Sequence, residues 1–197
     1  SEISVFSLHP VKIMTTGEGG VLVTNNAETY QDLQLLRSHG VTRDPALMTI
    51  EPEGDWYYQQ IDLGYNYRMT EMQAALGLSQ LQRLDEFVQQ REDIAEYYNQ
   101  HLADLALQIP FQMSETRSAW HLYVIQLNPE LVSQRRQIFD QLRAQGIGVY
   151  VHYIPVHTQP YYQALGFKPG DFPRAEAYYA AALSLPVYFD LTPAQQN

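Results

Sequence analysis

The sequence predicts an α/β protein in two parts. Three observations predict it: a short strand and helix near the start, a long amphipathic helix through the middle, and a strand–helix–strand pattern after it. Residues Val21–Thr24 follow the Gly19–Gly20 turn as a strand, and Asn25–Asn26 ends it. From Ala27 to about Arg37 the pattern is helical, with Leu33 and Leu36 on one side and Gly40 as the stop. Residues Val41–Tyr65 predict a loop, broken by Pro45, Pro52, Gly54 and Gly64 and carrying two exposed aromatics within Asp55–Tyr58. A loop that long is more often functional than idle.

Thr70 and Gln73 form a capping box at the start of the long helix. Its apolar positions then step by three and four through Ala74, Leu78, Leu81, Leu84, Val88, Ala95, Tyr98 and Leu102. That spacing predicts one helix of about 30 residues, roughly 45 Å long. Periodicity alone reads equally well as a plain core or coiled-coil helix. Beyond Pro110, Trp120–Leu127 alternates as a strand, Pro129–Gln145 is helical with Leu131, Ile138 and Leu142 on one face, and Ile147–Tyr153 reads as a second strand. Tyr178–Leu185 reads as a further helix. The domain boundary is expected near residue 105, giving parts 1–104 and 105–197. The apolar run at the start and the helix-like Leu191–Asn197 at the end predict a piece of a larger protein.

Composition narrows the function. The 197 residues are 45% hydrophobic and 17% charged, enough apolar content for a core. There are no cysteines, which removes disulfides, thiol nucleophiles and cysteine zinc sites, and fits a reducing cytoplasm. The first residues carry no basic, apolar secretory leader, and no apolar run reaches the roughly 20 residues of a membrane span. A formal charge of -10 with no basic patch argues against nucleic acid as a partner. Small phosphate ligands stay open, because a few local donors suffice to hold them. The 15 tyrosines suit a wet, partly buried ligand site or a dimer face.

The segment Ser7–Lys12, followed by Thr15, Thr16, Gly17, Glu18, Gly19 and Gly20, carries the candidate chemistry. A lysine becomes a nucleophile when burial or nearby positive charge lowers its pKa. Ser7, five residues earlier, could put a hydroxyl on a phosphate while Lys12 reaches the aldehyde end of the same ligand. Glycines 17, 19 and 20 let backbone approach closely. The bland reading is a surface lysine before a hairpin turn. The Walker pattern is absent.

The run FSLHPVKIMTTGEGG (6–20) resembles the cofactor-lysine segment of the DegT/DnrJ/EryC1/StrS sugar aminotransferases. Residues 64–91, GYNYRMTEMQAALGLSQLQRLDEFVQQR, resemble that family's next block, and VHYIPVH (151–157) a third. Order and spacing agree across nearly the whole chain. Within the family, His9–Lys12 followed by TTGEGG looks closest to the pseudaminic-acid pathway enzymes.

The resemblance implies the C-terminal part of a fold-type I pyridoxal-phosphate transferase: the end of the large domain, a connecting helix and a small α/β domain. Lys12 would carry pyridoxal 5'-phosphate and shuttle the proton between donor and cofactor. Ser7 would hold the phosphate, and Asn66 would reach the phosphate in a partner subunit's site, making the active unit a homodimer. His152, Tyr153 and Pro155 would line a nucleotide-sugar pocket, with His157 and Arg68 as further candidates. The implied reaction moves an amino group from L-glutamate to C4 of a UDP-linked 4-keto-6-deoxy-N-acetylhexosamine. The family's earlier half supplies the acid facing the pyridine nitrogen, the ring-stacking aromatic and a glycine-led phosphate loop. The chain alone is therefore expected to be inactive or weak in cofactor binding.

Each residue has a structural alternative. Asn66 could cap a turn beside Gly64, and Arg68 could pair with Glu71. His152 and Tyr153 could be packing residues at a strand end, and His9 reads as structural. His152 and His157 lack a third metal ligand at sensible spacing. A family dehydratase would carry histidine in place of Lys12. A non-catalytic scaffold of the same fold need not keep both Ser7 and Lys12.

Overall fold

The computed structural model describes residues 2–196 and divides the chain into two compact units between Leu84 and Asp85. In the first unit, β1 (Ile3–Ser7) pairs antiparallel with β2 (Gly20–Thr24), Ile3 opposite Thr24 and Ser7 opposite Gly20. Helix α1 (Ala27–Arg37) starts where the Asn26 side chain accepts the Thr29 N–H at 3.0 Å. It ends where the Gly40 N–H reaches back to the Leu35 carbonyl at 2.8 Å, with Gly40 at φ 67°. A side chain at Gly40 is impossible for a second reason, since a Cβ would lie 1.9 Å from the Asp62 carbonyl oxygen.

The long loop holds one short ladder, β3 (Val41–Thr42) against β4 (Gln59–Gln60). Trp56 and Tyr58 are exposed, as expected. Helix α2 (Glu71–Leu81) opens on the capping box, with the Thr70 hydroxyl accepting the Gln73 N–H and the Gln73 side chain accepting the Thr70 N–H.

The long helix is not continuous. After α2, residues 82–83 form a turn tightened by an Arg83 N–H bond to the Gln80 carbonyl, and α3 (Leu84–Leu102) begins anew. Neither proline nor glycine marks the break. Helix α3 buries Phe87, Ile94, Ala95 and Tyr98 within the second unit, so the units divide at Leu84 and not near residue 105.

The second unit is a three-stranded antiparallel sheet in the order β5 (Leu107–Gln108), β6 (Tyr123–Leu127), β7 (Ala182–Leu185). Strand β6 alternates as predicted, turning Tyr123, Ile125 and Leu127 into a core with Ile94, Ala95, Tyr98, Leu183 and Leu191. Around the sheet lie α4 (Arg135–Ala144), α5 (Pro160–Ala164), α6 (Pro173–Ala181) and α7 (Pro193–Gln196). The helix predicted over Tyr178–Leu185 is half helix and half strand: α6 stops at Ala181 and β7 follows at once. A short, wholly buried apolar run reads alike in both periods. The strand predicted over Ile147–Tyr153 reduces to one antiparallel bridge, Tyr150 to Ser184.

Candidate active-site loop and histidine segment

Residues 8–19 form a loop that closes on its own strands. The Leu8 N–H donates to the Gly19 carbonyl at 2.9 Å, and the Leu8 carbonyl accepts from the Thr16 N–H (3.1 Å) and the Thr15 hydroxyl (2.9 Å). Inside it the Lys12 N–H closes a turn on the His9 carbonyl at 2.9 Å. Lys12 is half-buried, and Ser7 is the last residue of β1 and exposed. The Ser7 Oγ accepts the His9 N–H at 3.4 Å, which leaves the hydroxyl proton to donate elsewhere. His9 lies 3.7 Å from the exposed carboxylate of Glu18.

The loop is tied to α2 at two points. Gln73 donates its side-chain N–H to the Glu18 carbonyl at 3.0 Å. Thr16 is 2% exposed, its hydroxyl on the Glu18 carbonyl at 2.6 Å and its methyl against Gly77, where a Cβ would sit 2.8 Å away. Gly19, at φ 148°, meets the same threonine: its Cβ would fall 2.6 Å from the Thr16 Oγ1. Small residues at 19 and 77 are therefore required by contact with Thr16, a demand that a lone glycine in a helical run does not reveal.

Asn66 lies in a short extended stretch bridged to Ser38 at the end of α1. The flanking Tyr65 and Tyr67 stack with ring centroids 4.9 Å apart, which alternation along an extended segment produces. The turn-capping alternative for Asn66 thus gives way to a place in a paired segment. Arg68 is exposed, and among the described residues it makes no ion pair with Glu71.

The histidine segment is built in the second unit. The His152–Tyr153 peptide is cis. His152 places Nδ1 2.6 Å from the Ser184 Oγ on β7, and burial holds its pKa below the usual imidazole value. Tyr153 packs edge-on to that imidazole at 4.4 Å and is 65% exposed, so it can meet a ligand. Pro155 is buried. His157 sits differently: it is 7% exposed, with Nε2 2.8 Å from Glu176 on α6 and its ring 4.8 Å from that of Phe172. Glu176 also accepts the Gly170 N–H, and the His157 bond, with that N–H, holds its carboxyl below the usual range. His157 is thus committed to a clasp on the 170–176 turn. Neither Glu176 nor Ser184 carried any spacing signal in the sequence.

The DegT/DnrJ/EryC1/StrS aminotransferase family model matches residues 1–197. The chain belongs to this family. It is 35% identical over 192 residues to the UDP-4-amino-4,6-dideoxy-N-acetyl-beta-L-altrosamine transaminase of Campylobacter jejuni, covering 97% of this chain and 48% of that protein. Helicobacter pylori PseC, an aminotransferase involved in pseudoaminic-acid biosynthesis, superposes with a TM-score of 0.89 at 32% identity, over 100% of this chain and 50% of its own. Spr1654 of Streptococcus pneumoniae in its PLP form gives 0.87 at 30% identity, over 100% and 49%. The chain spans about half the length of the curated relatives it matches. The fold corresponds to part of the sugar-aminotransferase α/β fold. No described helix is long and apolar enough to cross a membrane.

Proposed function

We propose that these residues serve a pyridoxal-phosphate aminotransferase acting on a nucleotide-linked keto-sugar. The observation that carries this reading is the self-closed loop that follows β1, with Ser7 at the strand end and half-buried Lys12 within the loop. The donor set suits pyridoxal phosphate: a primary amine for its aldehyde and the Ser7 hydroxyl for its phosphate, with Asn66 contributing across a homodimer. When bound, the cofactor supplies a carbonyl that condenses with amines and a ring that accepts electrons.

Lys12 holds the cofactor through Nζ. Once free of the cofactor, the same Nζ would act on the donor's Cα proton, first as base and then as acid. The ties from α2 keep the loop in one conformation, so this amine is presented in a fixed direction. His152 and Tyr153 contact the nucleotide sugar, and buried Pro155 fixes the backbone beneath them. Arg68 is an exposed cation suited to a phosphate oxygen. His157 shapes the same segment through Glu176 and is not itself a ligand contact.

We take a UDP-linked 4-keto-6-deoxy-N-acetylhexosamine as acceptor and L-glutamate as donor from the family resemblance, and the UDP-sugar transaminase name of the Campylobacter jejuni relative supports the nucleotide-linked acceptor. The activity is proposed for a protein of full family length, to which the resemblance assigns a further acid for the cofactor ring.

Borohydride reduction of the full-length protein with pyridoxal phosphate, followed by peptide mass mapping, tests the reading. A pyridoxyl group on Lys12 is expected. Its absence from a folded protein would leave a scaffold that has lost the chemistry.

A further inference from the structure

Ser184 lies within β7 and is 3% exposed. Its N–H donates to the Tyr150 carbonyl at 2.8 Å, and its carbonyl accepts the Tyr150 N–H at 3.2 Å. This pair of bonds locks residue 150 opposite residue 184. His152, two residues on, then meets the serine side chain, with Nδ1 2.6 Å from Oγ. Among the described residues this is the one hydrogen bond of the Ser184 hydroxyl.

Two proton arrangements satisfy that distance. If Nδ1–H donated to the serine, the hydroxyl hydrogen would be left buried with no acceptor. If the hydroxyl donates to Nδ1, what stays unmet is a lone pair on Oγ. Buried donors without partners are rarer and costlier than under-used acceptors. The second arrangement is therefore favoured, and it sets the imidazole tautomer: Nδ1 bare, hydrogen on Nε2. Burial also disfavours the charged ring.

We propose that Ser184 is a positioning residue that donates its hydroxyl proton to His152 Nδ1, so that His152 presents a neutral Nε2–H donor to an oxygen of the nucleotide-sugar ligand. The ligand part of this statement rests on the reading of His152 as a nucleotide-sugar contact; the tautomer part does not. A neutral donor favours hydroxyl, carbonyl or phosphate oxygens of the ligand. It cannot act as a base at Nε2, which keeps proton transfer with Lys12.

The test uses the full-length protein labelled with nitrogen-15 histidine. Long-range nitrogen–proton spectra report which ring nitrogen carries hydrogen, and loss of signals in His152→Asn assigns the residue. The expected wild-type result is hydrogen on Nε2 of His152. Ser184→Ala should give a tautomer mixture and weaken binding of UDP-N-acetylglucosamine about threefold to tenfold, the net worth of one hydrogen bond. Ser184→Thr, which keeps the hydroxyl, should restore both. Hydrogen on Nδ1 in the wild type overturns the proposal without any variant, whether or not Ser184→Ala folds. An unchanged tautomer in folded Ser184→Ala overturns it equally. Should the tautomer respond as expected while His152→Asn binds the nucleotide sugar normally, the positioning role stands and the pocket reading fails.

Discussion

The two units reach order by different routes. In the second, Ile94, Ala95, Tyr98, Tyr123, Ile125, Leu127, Leu183 and Leu191 form one buried cluster. Its two tyrosines place their hydroxyls on the Pro186 carbonyl (Tyr98, 3.0 Å) and on Asn99 (Tyr123, 2.7 Å). In the first unit, Leu8 is the one buried hydrophobic side chain among the described residues, while Val5, Phe6, Leu22 and Val23 on the β1–β2 hairpin are exposed. What fixes the lysine loop is instead a set of backbone hydrogen bonds and the close approach of Gly19 and Gly77 to Thr16. One region is held by apolar packing, and the other by geometry that tolerates almost no added atoms.

Three tests sharpen that contrast. The largest effect is expected in the packed unit. Ile94 is 1% exposed, and Ile94→Ala should cost about 2–5 kcal/mol in urea unfolding, because a cavity remains where its methyl groups packed. A loss under about 1 kcal/mol would mean that the cluster can collapse around the gap.

The second effect tests the geometric unit. In an open helix Gly→Ala gains about 1 kcal/mol. At Gly77 the new methyl would lie 2.8 Å from the Thr16 Cγ2, on a stiff β-branched side chain that is almost fully buried. Gly77→Ala should therefore destabilise by about 1–2 kcal/mol and lower the yield of the pyridoxyl adduct on Lys12. Adding Thr16→Ser, which removes the obstructing methyl and keeps the hydroxyl, should recover much of both.

The smallest effect is one of pH. Glu176 has its carboxyl held below the ordinary value of 4.5 by His157 and the Gly170 N–H. A depressed carboxylate pKa gives stability that is fully present above the unfolded value and is lost as pH falls through the folded one. Glu176→Gln should thus lower the melting temperature slightly near neutrality, where the clasp is fully formed, and converge with wild type as the pH falls below 4.5. A melting temperature identical to wild type at every pH would show that the clasp contributes nothing to stability.

Much of this was legible in the residues because the signals are local. Asn26 and Thr70 cap their helices as sequence predicts, Gly40 ends α1, and β6 alternates. Three features were not, each because tertiary contact decides it. The break at residues 82–83 interrupts a hydrophobic spacing that runs unbroken from Leu78 through Leu81 to Leu84, and no residue there is a helix breaker. Strand β7 is apolar at nearly every position, so its period is invisible until its neighbours Tyr150 and β6 are known. The hydrogen bonds between His152 and Ser184 and between His157 and Glu176 span 32 and 19 residues, so the different surroundings of the two histidines could not be read from their spacing. The roles proposed for Lys12 and Ser7 could be suggested from sequence because both residues lie on one contiguous segment.

The closure of the 8–19 loop makes its length a constraint in its own right. Ser7 is fixed opposite Gly20, Leu8 is bonded to Gly19 and to Thr16, and the far side is pinned by Thr16 against α2. An inserted or deleted residue cannot be absorbed at either end without slipping the strand register, which would turn every side chain of the hairpin over. It would have to be taken up between His9 and Met14, where it would displace Lys12 from the turn its N–H closes on the His9 carbonyl. Descendants of this chain are free to exchange side chains around Lys12 far more readily than to change the count of residues that carry it.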